Sequence, residues 1–261
     1  MLTRLKRLIS QTLNYSFTAP SAQGPLRIPV IYGVGRAHRD LHEPHMTAVL
    51  QRLHKPGTTL VDIGVNIGQT LLKFVSVAGR DARYVGFEPN VRAASYVDEL
   101  ILRNALTNAA VVPVGLGETT RIAALLVGSQ GTPDPGASIN AEMRDADFYG
   151  AAKAVAILRG DDIFADLAVT APMILKIDVE GAELEVLKGL SSVLSNIRPP
   201  VLLEILPPEG FSEAVGAYRV DQGEQIKALM AGHGYACSAI CHDGTLVDGV
   251  SPTNDYLFEA I

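Results

Sequence analysis

The sequence predicts an α/β fold in which a mostly parallel β-sheet carries helices on both faces. Short β-branched strands alternate with helical segments through most of the 261 residues, and this alternation is typical of βαβ units. One predicted strand runs directly into a turn that contains glycines, and another carries charges at its carboxyl end. With 48% apolar residues, a chain of this length can bury the core of one large domain.

The first 54 residues are predicted to form an extension that acts as a lid or packs on the domain. Leucines at helical spacing between Leu2 and Leu13 predict a short amphipathic helix, for which packing on its own domain is favoured over docking to a membrane surface or a partner. Prolines and glycines in residues 14–30 indicate loop with one edge strand. A polar helix is expected over Pro44–His54, and residues 55–57 form a stop signal.

Residues 55–261 form the predicted domain. The expected strands are Thr59–Ile63, Tyr84–Phe87, Ala110–Val114, Met173–Val179 and Val201–Leu206, with a closing hairpin from Tyr235–Ile240 and Tyr256–Ile261. The expected helices are Gln69–Ala78, Arg92–Arg103, Ala182–Leu194 and Gln222–His233. Two long segments, 128–149 and 207–220, show no regular pattern, and loops of that length often contribute to a binding site.

Composition and charge narrow the classes of function. The 22 basic and 28 acidic residues give a net charge of −6, which argues against a general nucleic-acid-binding protein. The apolar stretches fall short of the roughly 20 residues that a membrane span needs. Only two cysteines are present, too few for a disulfide-stapled secreted scaffold. We therefore expect a cytoplasmic protein, and the sequence leaves its oligomeric state open.

A turn with two glycines follows the first strand of the domain. Gly64 and Gly68 allow tight turning and close approach of a ligand, and Glu88 at the end of the next strand can accept hydrogen bonds from a ribose. Asn66 stands where a dinucleotide fingerprint needs its second glycine, so a nicotinamide oxidoreductase is disfavoured. The Asp62 carboxylate would repel a pyrophosphate, but it favours the ammonium or sulfonium of S-adenosylmethionine.

A later apolar strand, Met173–Val179, carries charged residues at its carboxyl end. Lys176 and Asp178 lie within this strand, and Glu180 follows them. Buried charges are costly, so their presence points to a functional site at the sheet edge. A purely structural interpretation is also open, in which Lys176 pairs with Asp178 and the helix dipole stabilises Glu180.

These segments resemble the FkbM-type family of S-adenosylmethionine-dependent methyltransferases. The family's first block, D-x-G-A-N-x-G-x-x-T, is similar to the turn, with Val65 in the place of alanine; its counterparts here are Asp62, Gly64, Asn66 and Gly68, with Thr70 one position before the block's threonine. A second block, K-I-D-V-E-G-A-E-x-x-V-L-K-G, is matched without a break from Lys176 to Gly189. Residues 198–205 and 254–258 resemble two further blocks, so the likeness covers about residues 55–261.

The resemblance implies a class I, Rossmann-like methyltransferase sheet of about seven strands whose last strand is antiparallel. It implies that S-adenosylmethionine is the cofactor and that these residues hold its methionine part, ribose and adenine: Asp62, Gly64, Asn66, Gly68, Thr70, Glu88, Leu116 and Asp178.

The expected reaction is transfer of a methyl group to a hydroxyl of a sugar, glycan or secondary metabolite. Asp178 is the first candidate for the general base, Glu204 is the second, and Lys176 lies close to both. Ser138 and Glu180 are candidates for contact with the substrate.

Three alternatives stay open. Asp178 and Glu204 could bind a divalent cation that lowers the pKa of the acceptor hydroxyl, although the sequence identifies no third oxygen ligand and metal-free catalysis is favoured. The chain could be a non-catalytic module that binds S-adenosylmethionine or a partner protein, which the intact set of acids disfavours. His38, His42 and His45 could ligate a metal, but solvated or lid histidines are favoured.

Overall fold

The computed structural model describes residues 14–39, 43–128, 136–145, 147–167 and 169–261. The helices are α1 (Pro44–Leu53), α2 (Gln69–Ala78), α3 (Val91–Arg103), α4 (Gly160–Asp166), α5 (Glu183–Gly189), α6 (Ser191–Asn196) and α7 (Glu213–Gly232). The strands are β1 (Tyr15–Ala19), β2 (Leu26–Val30), β3 (Thr59–Ile63), β4 (Arg83–Phe87), β5 (Ala109–Val112), β6 (Gly115–Gly117), β7 (Arg121–Gly128), β8 (Tyr149–Arg159), β9 (Met173–Ile177), β10 (Val201–Glu204), β11 (Tyr235–Ile240), β12 (Leu246–Val247) and β13 (Asp255–Ala260). The helix predicted between Leu2 and Leu13 lies outside the described residues.

The central sheet has eight strands in the order β12–β11–β13–β10–β9–β3–β4–β5. Strands β10, β9, β3, β4 and β5 are parallel, and β13 pairs antiparallel with β10. The predicted α/β class with an antiparallel closing strand is therefore confirmed, and the two-residue β12 adds one strand to the seven or so expected. Because parallel strands end at one edge, the carboxyl ends of β10, β9, β3 and β4 lie side by side.

Alternate side chains of each central strand enter hydrophobic cores on opposite faces of the sheet. Leu60 of β3 packs into a core that α1, α2 and α3 cover, whereas Val61 packs into a core that α5, α6 and α7 cover. The helices therefore lie on both faces, as predicted from the alternation of strands and helices. Within the described part of the chain, no helix combines the length and the apolar character that crossing a bilayer requires.

The segment over residues 14–30 forms a complete β-hairpin, where one edge strand was expected. Strands β1 and β2 pair antiparallel over five residue pairs. Leu26 and Ile28 are buried in the same core as Leu60, so the hairpin is packed on the domain.

Two helices differ from the prediction in their bounds. The helix expected over Ala182–Leu194 is divided into α5 and α6, and Gly189 at the division packs against Gly117, where a Cβ atom would lie 2.0 Å from the carbonyl oxygen. Helix α7 begins at Glu213, nine residues before the expected start. Its first turns show no apolar periodicity, which was the only signal available to place its start.

A second sheet, which the sequence did not reveal, has the order β6–β8–β7. Strand β8 pairs parallel with β6 and antiparallel with β7. Both long strands are rich in alanine, a residue that favours helices and is depleted in strands, so propensity hides them. This small sheet contributes to the site described next.

Candidate active site

A cavity of about 280 Å³ lies at the carboxyl edge of the central sheet. The predicted site residues that line it are Gly64, Asn66, Thr70, Glu88, Leu116, Lys176, Asp178, Glu180 and Glu204. Because β10, β9, β3 and β4 are neighbours, Glu204, Asp178, Gly64 and Glu88 follow one another along this edge. The fold thus brings together residues that are up to 140 positions apart in the chain.

The turn after β3 depends on backbone conformations that glycine tolerates best. Gly64 has a φ of +90°, and a Cβ atom on it would lie 1.7 Å from the carbonyl oxygen of Asp178. Gly68 has a φ of +85° and caps the amino end of α2. Asn66 has a φ of 50°, the left-handed region that asparagine enters more readily than most residues. The turn can therefore bring its backbone close to both β9 and a ligand.

Glu88 is fixed by the backbone at the end of β4. Its Oε2 accepts a hydrogen bond from the backbone N–H of Asn66 at 2.8 Å, and its Oε1 accepts one from Asn90 at 2.8 Å. Burial raises the pKa of Glu88 to about 7, although both backbone donors oppose the rise. Each oxygen keeps a further lone pair, so the carboxyl can still accept from hydroxyls in the cavity.

The small sheet and its connection provide an apolar wall of the cavity. This wall consists of Leu116, Leu125, Ala137, Ile139 and Ile157. Leu116 is only 3% exposed and lies on β6. Strand β6 follows β5 in the chain, and β5 is the sheet neighbour of β4, the strand that ends at Glu88. A flat, apolar group such as a purine fits a wall of this kind.

Lys176 links two acids on neighbouring strands. Its Nζ donates a hydrogen bond to Asp178 Oδ2 at 2.8 Å and lies 3.8 Å from Asp62 Oδ1. Burial lowers the pKa of Lys176, but the two carboxylates outweigh burial and raise it, so the ammonium stays charged. Asp62 is completely buried behind the cavity wall, where its Oδ2 accepts a hydrogen bond from the Tyr84 hydroxyl at 2.7 Å. Asp62 therefore acts on the cavity through Lys176 and not by direct contact.

Three acids converge beside Lys176. Carboxylate oxygens of Asp178, Glu180 and Glu204 lie within 4.8 Å of one another. Burial, followed by the charges of Asp178 and Glu180, raises the pKa of Glu204 to about 10. Burial and the Asp178 charge raise the pKa of Glu180 to about 7, although Arg144 opposes the rise. Glu180 is thus the third acid at this point, the oxygen-bearing residue that the sequence did not identify beside Asp178 and Glu204.

Two predicted residues, Ser138 and Gly68, shape the site from outside the cavity lining. The Ser138 hydroxyl donates to the backbone oxygen of Glu180 at 2.6 Å, and Ser138 is 1% exposed. It therefore fixes the loop that presents Glu180. Gly68 packs beneath the turn against Val97 and Leu100 of α3.

Two of the three histidines, for which a solvated or lid position was favoured, are buried, and one of them lines the cavity. His38 is 1% exposed and its Nε2 lies 2.9 Å from the Ile67 carbonyl oxygen, within the glycine-containing turn. His45 is 6% exposed and lines the cavity together with Asp255, to which it bonds. His42 lies outside the described residues.

Sequence reasoning missed the contributions of Glu43, His45, Thr253 and Asp255 to the cavity. Asp255 lies in the block near the carboxyl end that supports the family resemblance, and this block was the one signal for it. The histidine spacing marked His45 as a possible metal ligand or lid residue, but it gave no sign of Asp255 as the partner, because that contact spans 210 residues.

Comparison with known proteins assigns the chain to a family and a fold. A family model described as the methyltransferase FkbM domain matches residues 62–237. The crystal structure of a methyltransferase FkbM from Methylobacillus flagellatus is similar to this chain with 17% identity and a TM-score of 0.50, over 83% of this chain and 48% of that one. The chain thus spans about half the length of that protein, and at this identity the likeness shows a shared fold.

Two further solved structures are similar to the chain. An O-methyltransferase from Bacillus cereus, in complex with S-adenosylhomocysteine, has 10% identity and a TM-score of 0.46 over 83% of this chain and 78% of that one. The O-methyltransferase TomG from Streptomyces achromogenes, in complex with S-adenosylmethionine, has 11% identity and a TM-score of 0.46 over 84% and 78% of the two chains. No curated protein matches the chain.

The family match, over residues 62–237, spans more than half of the chain and includes both sequence blocks, the turn after Asp62 and the segment from Lys176 to Gly189. It confirms the resemblance inferred from those residues. The protein belongs to the methyltransferase FkbM domain family.

Proposed function

We propose that the protein transfers a methyl group from S-adenosylmethionine to a hydroxyl of a sugar, glycan or secondary metabolite. One observation carries this proposal: a single cavity holds Glu88 and the glycine-containing turn beside Asp178, Lys176 and Glu204 along one sheet edge. Glu88 and the turn suit a nucleoside, whereas the charged residues beside them suit a polar acceptor. Membership of the FkbM family and the absence of a complete dinucleotide fingerprint support the same function.

The cavity fits the chemical groups of this cofactor. Glu88 offers carboxylate oxygens to a ribose, the wall around Leu116 suits adenine, and Gly64 lines the cavity in a turn whose backbone can approach a ligand closely. When bound, S-adenosylmethionine supplies a methyl group activated on a positively charged sulfur. The negative charge of Asp178 at the next strand end is favourable for such a cation.

Positioning of the acceptor is the main task of the remaining residues, because methyl transfer is an in-line displacement. Asp178 can accept a hydrogen bond from the acceptor hydroxyl while Lys176 holds its other oxygen. Burial and the neighbouring acids raise the pKa of Glu204, which favours its protonated form, and in that form the carboxyl donates a hydrogen bond to a second oxygen of the acceptor. An acceptor with neighbouring hydroxyls, as in a sugar, satisfies both groups.

Calorimetry on the purified protein tests the cofactor. We expect S-adenosylhomocysteine to bind and NAD to give no response. Glu88→Ala should weaken the nucleoside by about 1–3 kcal/mol, as expected for lost hydrogen bonds to a charged group. The matched control, Glu118→Ala, changes an exposed glutamate and should bind like the wild type. Binding of NAD without binding of S-adenosylhomocysteine would contradict the proposal.

A panel of methyl glycosides and simple phenols, incubated with S-adenosylmethionine and followed by mass spectrometry, tests the transfer. A methylated product identifies the acceptor class. Repeating the assay with a chelator, and then with added magnesium, tests whether Asp178, Glu180 and Glu204 need a cation. Binding of S-adenosylhomocysteine with no methylation of any hydroxyl compound would favour a non-catalytic binding module.

The cytoplasmic location stays a prediction.

A further inference from the structure

A histidine–aspartate pair lies in the cavity outside the residues assigned so far. His45 is in the first turn of α1, and Asp255 is the first residue of β13. Nε2 of His45 and Oδ2 of Asp255 are 2.7 Å apart, and both residues line the cavity. Asp255 pairs in register with Glu204 of β10, so the pair stands beside the acceptor end of the sheet edge.

The imidazole is held in one orientation. A carboxylate accepts only, so Nε2 carries the proton in the bond to Asp255, and Nδ1 of the neutral ring is left as the acceptor. Within the described residues, the hydrogen bond that the His45 ring makes is the one from Nε2 to Asp255. Burial raises the pKa of Asp255, while His45 and Lys176 oppose the rise. The pair therefore leaves Nδ1 as the ring nitrogen without a partner among the described residues.

Helix α1 is fixed firmly enough to keep this nitrogen in place. Glu43, the residue before α1, accepts a hydrogen bond from Lys73 of α2 at 2.7 Å. Val49 and Leu50 of α1 are completely buried in the core shared with α2 and α3. A catalytic group needs this kind of support, because small errors in position are costly to the rate.

The other candidate bases are already engaged. The Lys176 ammonium bonds to one oxygen of Asp178 and stabilises its negative charge. Carboxylate oxygens of Glu204, Asp178 and Glu180 lie within 4.8 Å of one another, so Glu204 belongs to a cluster of mutually repelling acids. Glu180 forms an ion pair with Arg144 at 2.7 Å.

We propose that His45, oriented by Asp255, is the general base that removes the proton of the acceptor hydroxyl. This inference rests on the proposed methyl transfer to oxygen. The acceptor O–H bond breaks as its proton moves to Nδ1, and an O–C bond forms as the C–S bond breaks. The electron pair of the C–S bond stays on sulfur, and the imidazolium that results is stabilised by the Asp255 carboxylate. The proton then passes to solvent.

Imidazole rescue is the test that separates catalysis from structure. His45→Gly should lower kcat at least roughly 100-fold, the usual contribution of a positioned general base, with little change in affinity for S-adenosylhomocysteine. Added imidazole should restore part of kcat in proportion to its concentration. The matched control, His242→Gln, changes an exposed histidine and should keep the wild-type rate. A His45→Gly variant that binds the nucleoside but gains nothing from imidazole, or that retains full kcat, would overturn the proposal.

A second measurement does not depend on knowing the acceptor. Nitrogen NMR of the protein with labelled histidine and bound S-adenosylhomocysteine should show His45 with a proton on Nε2 and none on Nδ1 at pH 8. Asp255→Asn should disturb this tautomer. It should also lower kcat for the panel compound that the wild type methylates. A proton on Nδ1 in the wild type would refute the base assignment even if methyl transfer is found. If the panel yields no methylated product but the NMR shows the expected tautomer, the proposed methyl transfer to these hydroxyl compounds is contradicted. The orientation of the His45 ring by Asp255 is supported in that case.

Discussion

Lys176 determines the electrostatics of the site at the scale of single residues. It joins Asp62, which is completely buried on β3, to Asp178, which faces the cavity directly after β9. A buried ion pair of this kind is costly to break because one partner would be left uncompensated. The sequence predicted that these three residues meet at one sheet edge. It could not predict that Asp62 lies behind Lys176, since strand pairing and side-chain direction together decide which acid reaches the cavity.

Asp178→Asn tests whether Asp178 positions the acceptor or anchors the cofactor. We expect the affinity for S-adenosylhomocysteine to stay close to that of the wild type. The turnover number for the panel compound that the wild type methylates should fall roughly 100-fold, because the acceptor hydroxyl loses its alignment. Calorimetry and steady-state rates give the two values. Asp248→Asn, at an exposed position, is the control. An equal fall of affinity and turnover would instead identify Asp178 as a cofactor anchor, and full activity would remove it from the mechanism.

Glu204 gives the protein a specific dependence of stability on pH. Its pKa is raised in the folded state, from an ordinary 4.5 to about 10, so the folded protein binds the proton more tightly than the unfolded chain does. The stabilising effect is therefore complete below about pH 4.5 and is lost as the pH rises towards 10. Glu204→Gln imitates the protonated form, so the variant should match the wild type near pH 5 and exceed it at pH 8 by roughly 1–2 kcal/mol, since neighbouring acids share the titration.

Urea unfolding at the two pH values measures this difference. Glu209→Gln, at an exposed position, should show no pH-dependent gain. Equal stability of Glu204→Gln and the wild type at pH 8 would mean that Glu204 is ionised without cost in the folded protein.

At the scale of elements, the sequence predicted what has a strong local signal. The strands that hold the site and the helices α2 and α3 were found within one or two residues at almost every end, because β-branched runs and apolar periodicity coincide there. The alanine-rich strands β7 and β8 were missed, since only their pairing with each other makes them strands. The wall that they build for the cavity was missed with them.

The turn between β3 and α2 is the element most sensitive to substitution. Gly64→Ala places a Cβ atom 1.7 Å from the Asp178 carbonyl oxygen at a φ of +90°, so β9 would have to move. We expect a loss of at least about 3 kcal/mol of unfolding free energy from overpacking and backbone strain together, and loss of nucleoside binding. Gly57→Ala is the matched control: its φ is +83° with nothing within 4 Å, so the backbone strain of about 1 kcal/mol acts alone. Equal costs for the two variants in urea unfolding would contradict the close approach of the turn to β9.

At the scale of the whole molecule, the site is assembled from three parts of the chain. The central sheet contributes the turn and the acids, the small sheet contributes the apolar wall, and the extension before residue 55 contributes His45. The sequence suggested a boundary near residue 54 because the motifs begin after it. The described part of that extension shares the hydrophobic core of the domain, as Leu26, Ile28 and Leu50 are buried with Leu60.

This shared core predicts that the extension and the domain unfold together. Leu50 in α1 and Leu60 in β3 are both completely buried in the same core, so Leu50→Ala and Leu60→Ala should each cost about 2–5 kcal/mol. For a chain of this size, that cost corresponds to a fall in Tm of roughly 5–15 °C. Scanning calorimetry should show one transition for the wild type and for both variants, with equal calorimetric and van't Hoff enthalpies. If Leu50→Ala instead produced an early transition of its own while the main one stayed at the wild-type temperature, the extension would be an independent unit, and His45 could leave the cavity without unfolding the domain.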